Sequence, residues 1–271
     1  MRGKVGNTFF LGFFAFSVAF SAFARAESID FAGARPLFWG GLRESLERYG
    51  KVTGVSVSSK AGGCSEAVTG LKSGKIIIGG VCCLVDKSLS GFEVYPVAKD
   101  AITIIVHPSN PVGDLSLEQV RGIYYGEITD WSQVGGPKGK IIPVFRDHCD
   151  YENELFKREV IGAPKSLTRS AFVVDTIAKT IDYVSKYPKA IGAVSSVFSL
   201  GEPSVKVTRV DGVAPDSGDI ASGRYPLSRT LTLLTRKNPP GEVTGFIKFL
   251  KSAEGREILG KRLTPITDGV K

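Results

Sequence analysis

Four cysteines carry the most distinctive chemistry in this sequence. They are Cys64, Cys82, Cys83 and Cys149, and His148 directly precedes the last of them. Thiolates grouped with an imidazole are soft ligands, suited to Zn, Cu(I), an iron–sulfur cluster or a trivalent metalloid such as arsenite. The sequence contains no C-x-x-C or C-x-x-C-H motif, so the spacing matches no zinc-finger or haem-attachment pattern. A metal site therefore requires a fold that brings distant loops together.

The N-terminal residues have the pattern of an export signal. Arg2 and Lys4 precede an uncharged stretch rich in Phe and Ala, residues 9–23, and the small residues Ala24 and Ala26 then form a signal-peptidase site. The apolar stretch is shorter than the roughly 20 residues of a membrane span. We therefore expect residues 1–26 to be a signal peptide, cleaved after Ala26, and the mature protein to lie in the periplasm.

Export matters for the cysteines, because oxidising compartments favour disulfides. Four cysteines would allow two bridges. A bond between the adjacent Cys82 and Cys83 would be strained, so this interpretation needs two bridges to distant partners. Metal-binding thiols and disulfides therefore both remain open.

The neighbouring His148 and Cys149 also raise the possibility of a catalytic nucleophile and its base. Adjacent side chains on one loop rarely point at each other, and no third orienting group or oxyanion hole is evident in the sequence. We therefore expect a binding protein and not an enzyme.

Composition is typical of one large globular domain or two moderate ones, with 271 residues, 42% hydrophobic and 23% charged. The formal net charge is +8, and loss of the cations Arg2, Lys4 and Arg25 with the signal leaves +5. The basic residues are scattered and form no stripe interleaved with aromatic residues, so we expect no nucleic-acid partner. A mildly positive field suits an anionic ligand.

Apolar periodicity after the signal predicts alternating strands and helices. Strands are expected at residues 28–31, 55–58, 76–78, 101–106, 141–145, 190–194 and 230–235. Helices are expected at residues 36–49, 66–72, 117–123, 152–160, 175–187 and 243–250, the last continuing toward Leu259. Ser116 and Gln119 have the spacing of a capping box. This rhythm indicates an α/β fold with a parallel sheet.

Six segments resemble the phosphate-binding proteins that serve bacterial phosphate importers, and they follow the same order. They are residues 97–111, 115–120, 126–136, 190–195, 211–215 and 225–229. The resemblance implies a two-lobed periplasmic-binding-protein fold, α/β and type II-like, with two crossover segments and a ligand cleft between the lobes. Lobe 1 would comprise residues 27–105 plus 205–271, and lobe 2 residues 106–204. Hinge closure around a small inorganic ligand is the expected mode of action.

The loops that hold phosphate in this family are altered here. Where the family has Gly-Ser-Thr, this chain has Ala34 and Arg35 after the glycine. A serine that follows two glycines is replaced by Cys64, and a Ser-Arg pair is replaced by Cys82 and Cys83. The resemblance thus places cysteines on loops of the cleft.

The strongest family motif, at residues 146–156, keeps its flanks and loses its anion-binding centre. Asn153 stands in place of an arginine, and Asp150 and Glu152 add negative charge. Each charge-assisted hydrogen bond from such an arginine is worth roughly 1.5–3 kcal/mol. Phosphate affinity should therefore be reduced unless Arg35 or a proton compensates. Arg146 is expected to form a structural ion pair.

These substitutions predict the site residues. The ligand-binding set is Ala34, Arg35, Cys64, Cys82, Cys83, Cys149 and Asp150. The metal-binding set is Cys64, Cys82, Cys83, Cys149 and His148. The expected ligand is a thiophilic metal, metalloid or iron–sulfur cluster, whereas disulfides that lock the cleft and a phosphate or other oxyanion site remain alternatives.

The resemblance also implies a membrane partner. The closed protein would be recognised by the permease of an ABC importer in the inner membrane, or it would present its ligand to a membrane sensor kinase. The sequence does not distinguish these two roles, because both use the closed cleft. A monomer is expected.

Overall fold

The computed structural model describes residues 28–83, 89–147, 154–162 and 167–267. Within these ranges the strands are β1 (Ser28–Ala34), β2 (Ser56–Gly62), β3 (Ile78–Val81), β4 (Phe92–Val106), β5 (Asp114–Leu115), β6 (Ile142–Arg146), β7 (Phe172–Val174), β8 (Ala190–Ser195), β9 (Lys206–Val207), β10 (Arg209–Val210), β11 (Ser228–Arg236) and β12 (Thr264–Pro265). The α-helices are α1 (Arg35–Leu37), α2 (Arg43–Thr53), α3 (Cys64–Ser73), α4 (Leu117–Tyr125), α5 (Ile177–Lys186), α6 (Ser196–Ser199), α7 (Ser217–Ser222), α8 (Gly241–Lys251) and α9 (Ala253–Gly260). Helical turns of other types occupy Phe38–Leu42, Trp131–Val134 and Lys157–Ile161.

The principal sheet has ten strands and is mixed. Its order is β2-β1-β3-β11-β4-β8-β6-β7, and β9 and β12 also pair with β4. β1 runs parallel to β2 and β3, and β6 runs parallel to β7 and β8. β11 is antiparallel to both of its neighbours, and β4 is antiparallel to β8. The α/β fold is confirmed. The expected parallel pairing holds within β1–β3 and within β6–β8, and β4 and β11 add antiparallel pairs that make the sheet mixed.

The long strand β4 connects two cores of the two-lobed fold. Its residues 92–101 pair with β11, and its residues 102–106 pair with β8. Val97 and Ala98 pack in a first core with α2, α3 and α8, whereas Ile102 and Ile104 pack in a second core with α4. Four buried residues between 210 and 227 also pack in this second core, namely Val210, Ile220, Tyr225 and Leu227. The lobe boundaries at residues 105 and 204 stay a prediction.

Several local predictions agree with the helices, and one does not. Ser116 accepts a hydrogen bond from the backbone of Gln119, whose side chain accepts from the backbone of Ser116, which confirms the capping box of α4. The expected single C-terminal helix is instead divided into α8 and α9. Ser252 is the C-cap of α8, and its Oγ accepts a hydrogen bond from the Gly255 N–H at the start of α9. A serine that can cap a new helix thus overrides the apolar periodicity.

One predicted strand is displaced, and one predicted helix lies partly outside the described residues. The strand expected at residues 76–78 occupies Ile78–Val81, and the Ile77 N–H donates to Asp30 O just before the ladder begins. The helix expected at residues 152–160 is described only from residue 154 onward, and Lys157–Ile161 is a π-helical turn. Across the described ranges, no helix is both long and apolar enough to cross a bilayer.

Glycine permits a close approach between β1 and β3. A Cβ at Gly33 would lie 2.4 Å from the backbone nitrogen of Gly80, a distance that packed atoms do not adopt. The two strands therefore bring their carboxyl ends, and the loops that follow them, into direct contact.

Candidate functional site

Three parallel strands of the first core end at the same edge of the sheet. β1 ends at Ala34, β2 ends at Gly62 opposite it, and β3 ends at Val81. The residues that follow are Arg35, Cys64 at the first turn of α3, and the pair Cys82 and Cys83. In open α/β sheets, ligands bind outside the carboxyl ends of the strands, and this edge is the candidate site.

The sulfur atoms of Cys64, Cys82 and Cys83 form a cluster, called here the thiol cluster. All three Sγ atoms lie within 4.8 Å of one another, and each residue is buried. The Sγ atoms of Cys64 and Cys82 are 3.5 Å apart, and the Cys82 N–H donates to Cys64 Sγ at 3.3 Å. Sulfur atoms at these distances can contact one bound ion together.

A cavity of about 40 Å³ adjoins the thiol cluster and is lined by three arginines. Its walls come from both cores, since β1, α3 and β11 meet β6 and the start of α5 there. The lining residues are Ala34, Arg35, Pro36, Gly62, Gly63, Cys64, Cys82, Arg146, Ile177 and Arg229. The cavity therefore combines soft thiols with guanidinium groups.

A buried ionic network positions one of these arginines. The Nε and one terminal nitrogen of Arg229 donate to the two carboxylate oxygens of Asp100, at 2.7 and 3.0 Å. The other terminal nitrogen lies 3.7 Å from Glu154 Oε1. Ser195 Oγ donates to Asp100 at 2.7 Å, and Asp100 and Glu154 are both 1% exposed. The network lies where the two cores meet on β4.

Burial and charge act differently on the two interior arginines. Burial, followed by the cation of Arg229, lowers the pKa of Arg146 to about 10, although Glu154 and Cys82 oppose this. Burial alone would also lower the pKa of Arg229, but Asp100, then Cys82, raise it well above its ordinary value. A negative charge on Cys82 is therefore attracted to both arginines.

The expected site residues have different outcomes. Ala34, Arg35, Cys64 and Cys82 line the cavity, and Cys83 completes the thiol cluster. His148, Cys149 and Asp150 lie outside the described residues, as do Glu152 and Asn153. The assignment of all these residues to ligand binding stays a prediction.

Sequence reasoning missed two contributors to the cavity. Arg146 was expected in a structural ion pair, and Arg229 was given no role, yet both line the cavity. Asp100, which holds Arg229, was also overlooked. Arg146, Arg229 and Asp100 are charged residues within or at the end of largely apolar strands. A charged residue in such a strand is the signal that could have identified all three.

The two tryptophans lie in different environments. Trp131 is buried and donates its indole N–H to Lys189 O at 3.1 Å. Trp39 is 45% exposed. The two rings can therefore be distinguished by their solvent contact.

A family model described as a PBP superfamily domain matches residues 29–254. The chain belongs to the PBP superfamily. Within this superfamily it is 28% identical, over 233 residues, to the phosphate-binding protein PstS of Borreliella burgdorferi, a match that covers 80% of this chain and 82% of the relative. The sequence-based family assignment is thus confirmed.

Solved members of the PBP superfamily share the architecture. A putative phosphate ABC transporter substrate-binding protein from Clostridium perfringens, solved with bound phosphate, has a TM-score of 0.79 and 25% identity, covering 89% of this chain and all of that one. An ABC-type phosphate transport receptor from Vibrio cholerae has a TM-score of 0.72 and 27% identity, covering 88% and 99%. These similarities confirm the two-lobed fold.

Proposed function

We propose that the mature protein is the exported solute-binding component of an ABC importer and binds a thiophilic ion in preference to phosphate. One observation carries the proposal: the sulfurs of Cys64, Cys82 and Cys83 lie within 4.8 Å of one another. A metal–thiolate bond of about 2.3 Å, as for zinc, places ligand sulfurs about 4 Å apart. Three-sulfur coordination thus requires only a small movement of these side chains.

The surrounding charges support a bound thiolate complex. Three thiolates and one divalent ion carry a net negative charge, and Arg35, Arg146 and Arg229 line the adjoining cavity. The carboxylates of Asp100 and Glu154 both lie beside Arg229, so they offset part of this positive charge. Cys149 and His148 are the further metal ligands that we predict, and Asp150 is a further predicted contact.

A second candidate ligand is phosphate or another oxyanion. The arginine lining favours it, because guanidinium groups match oxyanions in charge and geometry. Similarity to proteins named for phosphate binding favours it too. Against it, Asp100 already occupies two donors of Arg229, so Arg35 and Arg146 would have to supply the principal charge.

Calorimetric titration of the reduced mature protein with phosphate, arsenite, zinc and copper(I) separates the candidates. We expect at least one thiophilic ion to bind more tightly than phosphate. Because loss of an indirect partner of a metal ligand already costs 10–100-fold, Cys64→Ser should weaken that ion by more than about 100-fold. Ser185→Ala, in α5 and outside the cavity, is the control and should change neither affinity.

Two results would contradict this proposal. Tight phosphate binding that survives replacement of all four cysteines by serine would assign the site to an oxyanion. A count of no reactive thiols in the protein purified without reductant would favour the disulfide alternative.

The cellular role belongs to the same proposal. Residues 1–26 direct export to the periplasm, the lobes are residues 27–105 plus 205–271 and residues 106–204, and a monomer delivers the ion to an inner-membrane permease. Uptake of the labelled ion should fall when the gene is deleted. Unchanged uptake together with loss of an ion-dependent transcriptional response would instead support the sensor-kinase role.

A further inference from the structure

A second and much larger cavity lies beside the thiol site, and we call it the outer cleft. Its volume is about 890 Å³. Its lining includes Arg35, Trp39 and residues 260–264, together with residues 176–178, Ile181 and residues 200–202. Pockets of roughly 300–1,000 Å³ accommodate organic molecules. The outer cleft is thus far larger than an inorganic ion requires.

Positive charge dominates the lining of the outer cleft. Arg35, Lys99, Lys261 and Arg262 face it, against the single carboxylate of Glu202. Within the described part of the chain, neither Arg35 nor Arg262 forms an ion pair. The pKa of Glu202 is lowered by hydrogen bonds from the Ser204 side chain and backbone, so Glu202 is ionised but already partnered. The remaining imbalance favours an anion.

The two positive side chains that do have partners keep their charge in the cleft. Lys261 pairs with Glu44 at 2.5 Å, with both side chains about half exposed. Lys99 donates to the carbonyl oxygen of Ala221 at 2.7 Å, a neutral acceptor. Exposed pairs of this kind exchange readily with solvent ions, and they leave the field of the cleft positive.

Apolar side chains are also presented to the outer cleft. Trp39 and Leu200 both line this cavity. They are 45% and 49% exposed, and they belong to the few large apolar side chains among the described residues that are exposed to solvent. Phe198, Ile177 and Ile181 add further apolar surface. A simple inorganic anion would gain nothing from these groups, whereas an aromatic ring could stack on the indole of Trp39.

From this combination we infer that the outer cleft binds a small organic anion: a carboxylate or sulfonate attached to an aromatic or branched apolar body. The anionic group contacts Arg262 and Arg35, and the apolar body packs against Trp39 and Leu200. Among the described residues, the outer cleft shares only Arg35 and Ile177 with the thiol cavity, so the two sites can be tested separately.

The experiment uses the mature protein with 3-phenylpropanoate, its neutral amide and acetate as probes, followed by calorimetry and tryptophan fluorescence. The protein has two tryptophans, and Trp131 is only 1% exposed, so a ligand in the cleft changes the emission of Trp39. Because a charge-assisted hydrogen bond contributes roughly 1.5–3 kcal/mol, the carboxylate should bind at least about tenfold more tightly than the amide. Acetate should bind more weakly than phenylpropanoate.

Substitutions then assign the two parts of the cleft. Arg262→Gln should reduce the preference for carboxylate over amide, whereas Trp39→Ala should weaken both probes. Lys248→Gln, at an exposed position of α8 outside the cleft, is the matched control. Cys64→Ser should leave phenylpropanoate binding intact, which keeps this result independent of the thiol site.

Three outcomes would overturn the inference. They are absence of phenylpropanoate binding, equal binding of acid and amide, and unchanged binding in both Arg262→Gln and Trp39→Ala. If no probe binds and a protein partner is found to cover Trp39, the outer cleft is a protein-docking surface and not a site for a small anion.

Discussion

Loss of the Asp100 charge should destabilise the protein severely, because it leaves a buried cation without its principal counterion. Asp100 is 1% exposed, and it accepts two hydrogen bonds from Arg229 and one from Ser195. Breaking a buried ion pair from one side typically costs 3–5 kcal/mol. Glu154, 3.7 Å from Arg229, supplies part of the missing charge. We therefore expect Asp100→Asn to lower the free energy of unfolding by about 3 kcal/mol.

Replacement of both partners should cost less than the two single losses together. Arg229→Met removes the cation, so in the double variant Asp100→Asn no longer leaves Arg229 without its counterion. Glu154 loses Arg229 in that variant but keeps the nearby cation of Arg146. Residues in direct contact couple by roughly 0.5–3 kcal/mol, and this pair should lie at the upper end of that range. The matched control is the exposed pair of Arg43 and Glu47, where Glu47→Gln should cost under about 1 kcal/mol.

Urea unfolding followed by the emission of buried Trp131 provides the measurement, with the free energy extrapolated linearly to water. The reasoning is refuted if Asp100→Asn costs no more than Glu47→Gln. It is equally refuted if the two single changes add without coupling, since the charges would then not depend on each other.

Three further predictions test the packing, a local carboxylate and the N-terminal signal. Gly33→Ala should lower the free energy of unfolding by about 3 kcal/mol or abolish folding, because the added Cβ would lie 2.4 Å from the backbone nitrogen of Gly80. The control Gly91→Ala, where nothing lies within 4 Å of the added Cβ, should change stability by under about 0.5 kcal/mol. Equal unfolding midpoints of the two variants would disprove the close approach. Hydrogen bonds from the Ser132 side chain and from the backbone of Ser132 and Gly139 lower the pKa of Asp130 from its ordinary 3.8, so its contribution to stability is complete above that pH and is lost as the pH falls through the folded value. Asp130→Asn should therefore lower the thermal midpoint at neutral pH, with a difference that shrinks below pH 3.8, and a difference that stays constant into acid would contradict this assignment. The secreted protein should begin at Glu27, and intact-mass measurement that retains Arg25 and Ala26 would contradict cleavage after Ala26.

The sequence anticipated elements whose determinants lie within a few residues of one another. The capping box of α4 depends on Ser116 and Gln119, three positions apart, and the structure has it as expected. The apolar run at residues 190–194 becomes β8, one residue longer. These features could be predicted because their hydrogen bonds are local.

Features that depend on competition between distant groups were not predictable in the same way. β11 pairs in antiparallel fashion with both β3 and β4. Its partners on β4 lie more than 120 positions away along the chain. The break between α8 and α9 depends on whether Ser252 caps a new helix or continues the old one. Arg146 was expected in a structural ion pair, and its burial beside the cavity depends on the packing of the two cores.

By itself the sequence determined the α/β class, the family resemblance and the presence of soft ligands where the family has hydroxyl groups. Only the tertiary structure decided that Cys64, Cys82 and Cys83 meet, and that Arg146 and Arg229 line the cavity beside them. The physical reason is register: β1, β2 and β3 run parallel and end together, so residues separated by 18 positions place their sulfurs 3.5 Å apart. No local pattern in the chain encodes that distance.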